Sequence, residues 1–128
     1  MNRYLIDTHT AIWFFNGDQK LSDKAKQIIR DRSNPIYISI ASAWEVAIKI
    51  SIGKLDEIES VANFLQDAKI NDIIILPVSP SCLIILETLP IIHRDPFDRL
   101  LIATAIAEEM TLITADENAL KYNVPQIW

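Results

Sequence analysis

The sequence predicts an α/β fold in which a doubly wound parallel sheet of about four to five strands carries helices on both faces. Short apolar runs alternate along the chain with longer segments of helical periodicity, as expected for strands joined by crossover helices. These runs are mostly apolar, which is typical of a parallel sheet covered on both faces. A length of 128 residues suits one domain, so we expect residues 1–128 to form a single domain.

The first half of the chain contains two predicted strands and four predicted helices. Apolar, β-branched and aromatic residues fill both strands, and the helical spacing of Ala25, Ile28 and Ile29 supports the second helix. Gly17 and Gly53 end the first and third helices, because glycine readily adopts the left-handed conformation found there. The predicted strands are 4–6 and 36–39, and the predicted helices are 11–15, 22–32, 41–52 and 59–69.

The second half continues the alternation of strands and helices. The strand at 73–76 is fully apolar and is stopped by Pro77. A broad apolar face that includes Leu100 and Leu101 indicates the helix at 97–109. The other predicted elements are helices at 81–89 and 116–122, strands at 111–114 and 126–128, and a loop over 90–96.

Composition and charge exclude several classes of function. Seventeen acidic and twelve basic residues give a net charge of −5, which argues against nucleic-acid binding by surface charge alone. Two glycines leave no glycine-rich phosphate loop, and the single cysteine, Cys82, excludes disulfides and cysteine-based zinc sites. Because no targeting segment or membrane-length apolar run is visible, we expect a cytoplasmic protein that does not bind a membrane.

Acidic side chains follow the predicted strands at one edge of the sheet. Asp7 directly follows the first strand, and Asp116 lies two residues beyond the fourth. Glu45 lies about one turn into the third helix, and Asp98 is in the first turn of the sixth. We expect these carboxylates to converge if the loop before Asp98 ends at the same edge. Mg²⁺ or Mn²⁺ would relieve their repulsion, so the cluster predicts metal-assisted phosphoryl chemistry.

Each of these acids also has a purely structural interpretation, which the sequence leaves open. Asp7 and Asp116 suit helix caps, whose side chains accept backbone hydrogen bonds. Glu45 has the i, i+4 spacing of an ion pair with Lys49. Asp95 and Asp98 lie at the start of the sixth helix, where the positive end of the helix dipole favours acidic residues. One such residue is weak evidence for a site, whereas four at the sheet edge together favour one.

The histidines and the bulky apolar residues carry weaker signals. His9 and His93 lack the spacing of a second ligand, so no histidine metal site is predicted. We expect His93 on a loop surface, where it could touch a phosphate. Cys82 is expected in the core, and Trp13 and Trp44 in the core or at an interface.

Four cationic side chains fall near the predicted acidic pocket, where they could bind a nucleic-acid backbone. They are Lys49, Lys54, Arg94 and Arg99. An unengaged surface charge is the alternative interpretation for all of them, and we prefer it for Lys54.

Several segments resemble the motifs of PIN-domain ribonucleases, and most closely those of the VapC toxins of bacterial and archaeal toxin–antitoxin pairs. The most specific segments read WEVAIK at 44–49 and DPFDRLLIA at 95–103. The resemblance extends from the first strand to the last residues and so covers nearly the whole chain. The matching segments are 7–9, 42–49, 53–55, 95–103, 112–116 and 124–128.

The resemblance implies a PIN-like fold and an endoribonuclease that uses Mg²⁺ or Mn²⁺ to cleave RNA, whether tRNA, rRNA or mRNA. It also implies a homodimer and inhibition by a cognate antitoxin protein. The matching catalytic and metal-binding positions are Asp7, Glu45, Asp98 and Asp116. Among them, Asp7 and Asp98 correspond to the principal metal ligands. The resemblance further implies that Asp95 is an auxiliary acid and that the hydroxyl of Thr114 supports Asp116.

Two other functions compete with this one. A response-regulator receiver has a similar length and an acidic Mg²⁺ pocket, but it needs an acid after the third strand. This chain has Leu-Pro-Val-Ser at 76–79 instead, which argues against a receiver. The second alternative is a catalytically vestigial interaction module that acts through dimerisation and antitoxin binding. An apolar content of 50% supports it, and Mn²⁺ affinity that depends on Asp98 would distinguish the two.

Overall fold

Five strands form one all-parallel sheet in the computed structural model, which describes residues 2–128. The strands are β1 (Tyr4–Ile6), β2 (Ile36–Ser39), β3 (Ile74–Leu76), β4 (Thr111–Ile113) and β5 (Gln126–Ile127). The helices are α1 (Thr8–Asn16), α2 (Asp23–Arg30), α3 (Ile40–Ser51), α4 (Val61–Ile70), α5 (Pro80–Thr88) and α6 (Pro96–Ala107). A 3₁₀ turn at Glu117–Lys121 precedes β5. The predicted doubly wound parallel sheet is confirmed.

The strand order β3-β2-β1-β4-β5 creates a topological switch point beside the central strand. Leu5 in the middle of β1 pairs with Tyr37 of β2 on one side and with Leu112 of β4 on the other. From β1 the chain first builds outward through β2 and β3, and later returns to add β4 and β5. The two directions therefore diverge between β1 and β4. In open α/β sheets, ligands bind outside the carboxyl ends of the strands at such a point.

Two hydrophobic layers cover the sheet, one on each face. Tyr4 and Ile6 of β1 pack with buried residues of α1 to α4, among which Phe64 is the largest fully buried side chain. Leu5 points to the opposite face and packs with residues of α6, including Leu101. Successive strand residues point to opposite faces, so an apolar run is buried on both sides.

Local signals in the sequence set the helix boundaries. Four helices begin after a serine whose hydroxyl accepts a hydrogen bond from a backbone N–H of the first turn. Gly17 ends α1 with a φ of 63°, a conformation that glycine adopts without steric cost. Even α3 and α6 span only 12 residues each, and no helix within residues 2–128 is long and apolar enough to cross a membrane.

Several predictions about boundaries and burial need correction. The strand predicted at 73–76 begins at Ile74, and Ile74 is about half exposed because β3 lies at the sheet edge. The last predicted helix is a 3₁₀ turn, which suits its short length. Of the two places expected for Trp44, the core is ruled out, since 61% of its surface is exposed. Cys82 is fully buried, as predicted.

Candidate active site

The switch point brings side chains from three separate parts of the chain to one edge of the sheet. Asp7 directly follows β1, while Thr114 and Asp116 follow β4. Asp98 lies in the first turn of α6, and Asp95 caps that helix. The loop before α6 thus ends at the predicted edge. The shared pocket has a volume of about 450 Å³, and its lining residues are Asp7, His9, Trp13, His93, Asp95, Asp98, Ala115, Asp116 and Asn118.

Asp7 is buried and held by one hydrogen bond to each carboxylate oxygen. Its Oδ1 accepts from the backbone N–H of Thr10 at 2.8 Å, which is the cap of α1. Its Oδ2 accepts from the hydroxyl of Thr114 at 2.5 Å. Each carboxylate oxygen has two lone pairs, so both oxygens keep one for a further partner. The cap that the sequence suggested is confirmed, and the capping bond leaves Asp7 able to bind a ligand in the pocket.

Thr114 connects Asp7 with Asp116 through one hydroxyl group. While its hydroxyl donates to Asp7, its oxygen accepts from the backbone N–H of Asp116 at 3.0 Å. Asp116 in turn caps the 3₁₀ turn, because its Oδ1 accepts from the N–H of Asn118 at 3.0 Å. The chain after β4 is therefore folded so that two acids and one hydroxyl share a corner of the pocket.

Asp98 is the most electrostatically strained member of the group. Its pKa is raised from the usual 3.8 to about 7, first by burial and then by the charges of Asp95, Asp116 and Asp7. A hydrogen bond with Asp116 adds to this effect. The charges of three neighbouring aspartates therefore act on the buried carboxyl group of Asp98.

The chemistry of these side chains fits a divalent cation. Ligand atoms of His93, Asp98 and Asp116 all lie within 4.8 Å of one another, and Asp7 faces the same pocket. Carboxylate oxygens are the ligands that Mg²⁺ and Mn²⁺ prefer in proteins. A cation at this place would also offset the repulsion that raises the pKa of Asp98.

Glu45 differs from the four aspartates in its surroundings. It is buried one turn after Ser42, whose hydroxyl accepts a hydrogen bond from Thr8 at 2.9 Å. The carboxylate of Glu45 lies 2.9 Å from Nζ of Lys49, so the i, i+4 ion pair is confirmed. Glu45 is not among the residues that line the pocket of about 450 Å³. The structure brings Asp7, Asp95, Asp98 and Asp116 together around one pocket. Glu45 is predicted for the same set but does not line this pocket.

The two arginines that the sequence placed near the pocket have different environments. Arg94 is exposed beside His93. Arg99 uses its guanidinium inside the molecule, where Nη1 donates to the carbonyl of Pro90 at 2.8 Å and to the hydroxyl of Tyr122 at 3.2 Å. Arg99 therefore holds the loop before α6, and its donors are largely occupied.

His93 is the site residue that sequence reasoning missed. We expected it on a loop surface, but only 12% of its side chain is exposed and it lines the acidic pocket. Its Nδ1 lies 2.9 Å from the hydroxyl of Tyr122, and its Nε2 lies 3.8 Å from Oδ2 of Asp98. The expectation failed because the contact with Tyr122 spans 29 residues of sequence, which no local pattern reveals.

A second groove adjoins the acidic pocket and is lined by lysines. His9 and Trp13 border both spaces, so the groove and the pocket lie next to each other. Lys49 and Lys54 line the groove, and Lys54 is exposed there. Positive charge is thus placed beside the negatively charged pocket despite the acidic composition of the chain.

Relatives with this architecture include toxin–antitoxin proteins. Ribonuclease VapC22 of Mycobacterium tuberculosis is 28% identical over 133 residues, covering 98% of this chain and 96% of that protein. VapBC2 of Rickettsia felis, bound to a DNA fragment from its promoter, superposes with a TM-score of 0.71 at 17% identity and covers 97% of this chain and 96% of that chain. A toxin–antitoxin complex from Klebsiella pneumoniae gives a TM-score of 0.65 at 19% identity, with 98% and 96% covered.

The family itself is shown by a match that spans most of the chain. The model of the PIN domain matches residues 4–124, from β1 to the segment before β5. This range contains all the site residues predicted from the sequence and the whole switch point. The resemblance that the motifs indicated is confirmed, and the chain belongs to the PIN domain family.

Proposed function

We propose that this protein is a metal-dependent endoribonuclease and the toxin component of a toxin–antitoxin pair. The observation that carries the proposal is the convergence of Asp7, Asp95, Asp98 and Asp116 at the switch point. Burial, followed by the charges of the neighbouring aspartates, raises the pKa of Asp98 to about 7, and a shift of this kind is typical of a functional site. The similarity to a protein named ribonuclease VapC22 supports RNA as the substrate class. We also propose that residues 1–128 form one PIN domain in the cytoplasm.

Within this proposal, Asp7, Asp98 and Asp116 hold Mg²⁺ or Mn²⁺. A bound cation would supply the positive charge that activates a water and stabilises the oxygens of the phosphodiester during cleavage. Thr114 fixes the carboxylate of Asp7, and Asp95 contributes charge from the N-terminus of α6. Asp7 and Asp116 are each held by hydrogen bonds from the protein, as metal-binding carboxylates generally are.

Glu45 is the fourth acid of the proposed site, although it does not line the pocket of the aspartates. Its Oε2 is paired with Lys49, which leaves the other carboxylate oxygen available to a ligand. We propose that Glu45 completes the acidic set from α3 through this second oxygen.

An assay of RNA cleavage tests the proposed activity. Purified protein is incubated with single-stranded RNA, tRNA and mRNA fragments, with and without Mn²⁺. We expect cleavage that requires the ion and stops when the ion is chelated. Absence of cleavage together with absence of Mn²⁺ binding would favour the alternative of a vestigial interaction module.

The lysine-lined groove is the path that we propose for the RNA backbone. A strand whose scissile phosphate enters the acidic pocket would continue past His9 and Trp13 toward Lys49 and Lys54. Cations beside the pocket would offset the repulsion between RNA phosphates and the carboxylates. Arg94 is exposed and follows the pocket residue His93 in sequence, and we propose it as a further contact. The internal hydrogen bonds of Arg99 make it a weaker candidate for binding RNA.

Replacing Lys54 with alanine should weaken RNA binding and reduce its dependence on salt. One lost phosphate contact to single-stranded RNA lowers the slope of log affinity against log salt concentration by about 0.7. Lys24→Ala removes an exposed lysine from α2 and serves as the matched control. Fluorescence anisotropy with an inactive variant measures both slopes. Equal slopes for Lys54→Ala and Lys24→Ala would remove the groove from the proposed path.

A homodimer is the assembly that we propose, with α3 at its interface. Ile40, Trp44 and Ile48 recur every four residues on α3 and are all exposed. Trp44 packs edge-on against Phe97 of α6, with ring centroids 5.2 Å apart, so it is held in place for contact. On the neighbouring α5, Leu83 is also exposed. Contiguous exposed apolar side chains of this kind mark protein interfaces.

Replacing Trp44 with glutamate should dissociate the dimer. A central interface tryptophan contributes about 2 kcal/mol or more, so we expect the dissociation constant to rise about 30-fold or more. Ile70→Glu is the control, because Ile70 has the same exposure of 61% but lies at the end of α4. Analytical ultracentrifugation over a range of concentrations measures the effect. A dimer that survives Trp44→Glu unchanged would place the interface elsewhere.

An antitoxin is the second partner that we propose. The structures that share this fold include a toxin–antitoxin complex and a VapBC protein bound to promoter DNA. A small DNA-binding protein encoded next to this chain should therefore form a stable complex with it on co-expression. Failure of that protein to co-purify would argue against the pairing.

A further inference from the structure

The hydroxyl of Tyr122 is a hydrogen-bonding centre beneath the acidic pocket. Tyr122 is buried, and three nitrogen atoms contact its oxygen. They are Nη1 of Arg99 at 3.2 Å, the backbone nitrogen of His93 at 3.4 Å and Nδ1 of His93 at 2.9 Å. The last of these contacts links the tyrosine directly to a side chain that lines the pocket.

The donors and acceptors around Tyr122 determine which nitrogen of His93 carries a proton. Guanidinium and backbone nitrogens can only donate, so Arg99 and the main chain of His93 use the two lone pairs of the tyrosine oxygen. The single hydroxyl proton is then donated to Nδ1, which acts as an acceptor. In the neutral imidazole the other nitrogen must carry the proton. The ring is therefore held as the Nε2–H tautomer.

The protonated Nε2 of His93 lies near Asp98 but is too far from it for a hydrogen bond. Within residues 2–128, Nε2 of His93 is the only buried side-chain nitrogen or oxygen without a hydrogen-bond partner. It lies 3.8 Å from Oδ2 of Asp98, so a movement of less than about 1 Å would form a normal hydrogen bond. A buried donor left unpaired is costly, and hydrogen bonds in active sites often shorten when ligands bind.

We propose that His93 is a positioning residue, whose Nε2–H donates to the carboxylate of Asp98 and leaves its other oxygen free for a divalent cation. This proposal rests on the proposed function and deepens it. The hydroxyl of Tyr122 fixes the tautomer of the His93 ring. Arg99 holds the loop before α6 by donating to the carbonyls of Leu89 and Pro90. Arg99 and Asp98 are neighbours on α6. The same helix therefore supplies the acid and the arginine that holds the loop of His93.

Nitrogen NMR of the histidine rings tests the tautomer without any metal. The chain has two histidines, so His9→Gln assigns the spectrum. In slightly alkaline buffer, we expect the wild-type protein to show a protonated Nε2 and an unprotonated Nδ1 for His93. Tyr122→Phe removes the hydroxyl and should shift this ring toward a mixture of tautomers. A proton on Nδ1 in the wild-type protein would overturn the proposal.

Mn²⁺ binding tests the effect on the site. Loss of a group that orients a ligand weakens metal binding by about 10- to 100-fold, so we expect this loss for His93→Leu in calorimetry. His93→Gln keeps a side-chain N–H donor and should recover most of the affinity, whereas Lys24→Ala, an exposed position of α2 outside the pocket, should match the wild-type protein. Thermal unfolding of each variant verifies that it is folded. Unchanged affinity in His93→Leu would overturn the role of His93.

Pulsed electron paramagnetic resonance separates positioning from direct coordination. A histidine bound to Mn²⁺ gives a characteristic nitrogen modulation of the electron spin echo, and we expect none from His93 in the wild-type protein. A modulation that disappears in His93→Leu would show that His93 is itself a ligand and would contradict the proposal. Wild-type protein that binds no Mn²⁺ would overturn the proposed function and the role of His93 together. Normal wild-type binding with an unaffected His93→Leu would overturn the role of His93 alone.

Discussion

Asp98→Asn is expected to lower the rate of RNA cleavage by about three orders of magnitude. A divalent cation contributes several kcal/mol to stabilising a phosphoryl transition state, and each 1.36 kcal/mol corresponds to a factor of ten in rate. Asparagine keeps the shape of Asp98 but removes the charge that would hold the cation among Asp7 and Asp116. Single-turnover cleavage of a labelled RNA measures the loss, and Asp7→Asn should behave in the same way.

The control for Asp98→Asn is another aspartate in the same local setting. Asp23 occupies the first turn of α2, as Asp98 occupies the first turn of α6, but Asp23 is exposed and does not line the pocket. Asp23→Asn should therefore keep full activity. Asp98→Asn should also unfold at a higher temperature than the wild-type protein at neutral pH without metal, because it loses an unfavourable charge. Retention of more than a tenth of the activity in Asp98→Asn would contradict the proposed mechanism.

The stability of the metal-free protein is expected to fall as the pH rises from about 4 to about 7. The pKa of Asp98 is raised to about 7 in the folded protein, first by burial, from its usual 3.8. Within this window the folded protein keeps a proton that the unfolded chain has released, so the folded state binds more protons. Raising the pH therefore lowers the free energy of unfolding, and the stabilising effect of the proton is lost once the pH passes about 7. Thermal unfolding across this range measures the trend.

Mn²⁺ should reverse this trend. At a concentration 100-fold above its dissociation constant, the ion adds about 2.7 kcal/mol to the free energy of unfolding, which is about 10 °C in Tm for a chain of this size. The gain should grow with pH, because the ion and the proton compete for Asp98. Asp98→Asn should lose both the effect of Mn²⁺ and the contribution of this residue to the pH dependence. Equal stabilisation of Asp98→Asn and the wild-type protein by Mn²⁺ would place the ion elsewhere.

The sheet and the positions of Asp7 and Asp116 could be inferred from the sequence because their signals are local. The run 4–6 is apolar throughout and 111–113 is mostly so, which is typical of strands buried on both faces. Asp7 and Asp116 follow such strands directly, and parallel strands place their carboxyl ends at one edge. Asp98 required the further assumption that its loop returns to that edge, which the structure bears out.

The features that could not be predicted depend on contacts between distant parts of the chain. His93 is placed by Tyr122 and Arg99 through side-chain hydrogen bonds that leave no periodic pattern in the sequence. Trp44 looks like a core residue by its chemistry, and only the packing of α3 leaves it on the surface. For Glu45 the simple i, i+4 pairing rule described the observed contact correctly, and its convergence with the aspartates is still a proposal.

The most direct test of the metal pocket is a crystal of the protein soaked in Mn²⁺ and measured near the manganese absorption edge. The anomalous difference map should show a peak in contact with the carboxylates of Asp98, Asp7 and Asp116, and the same peak should be absent from crystals of Asp98→Asn. A well-ordered wild-type crystal with no peak at the carboxyl ends of β1 and β4, or with manganese bound only elsewhere, would contradict the account.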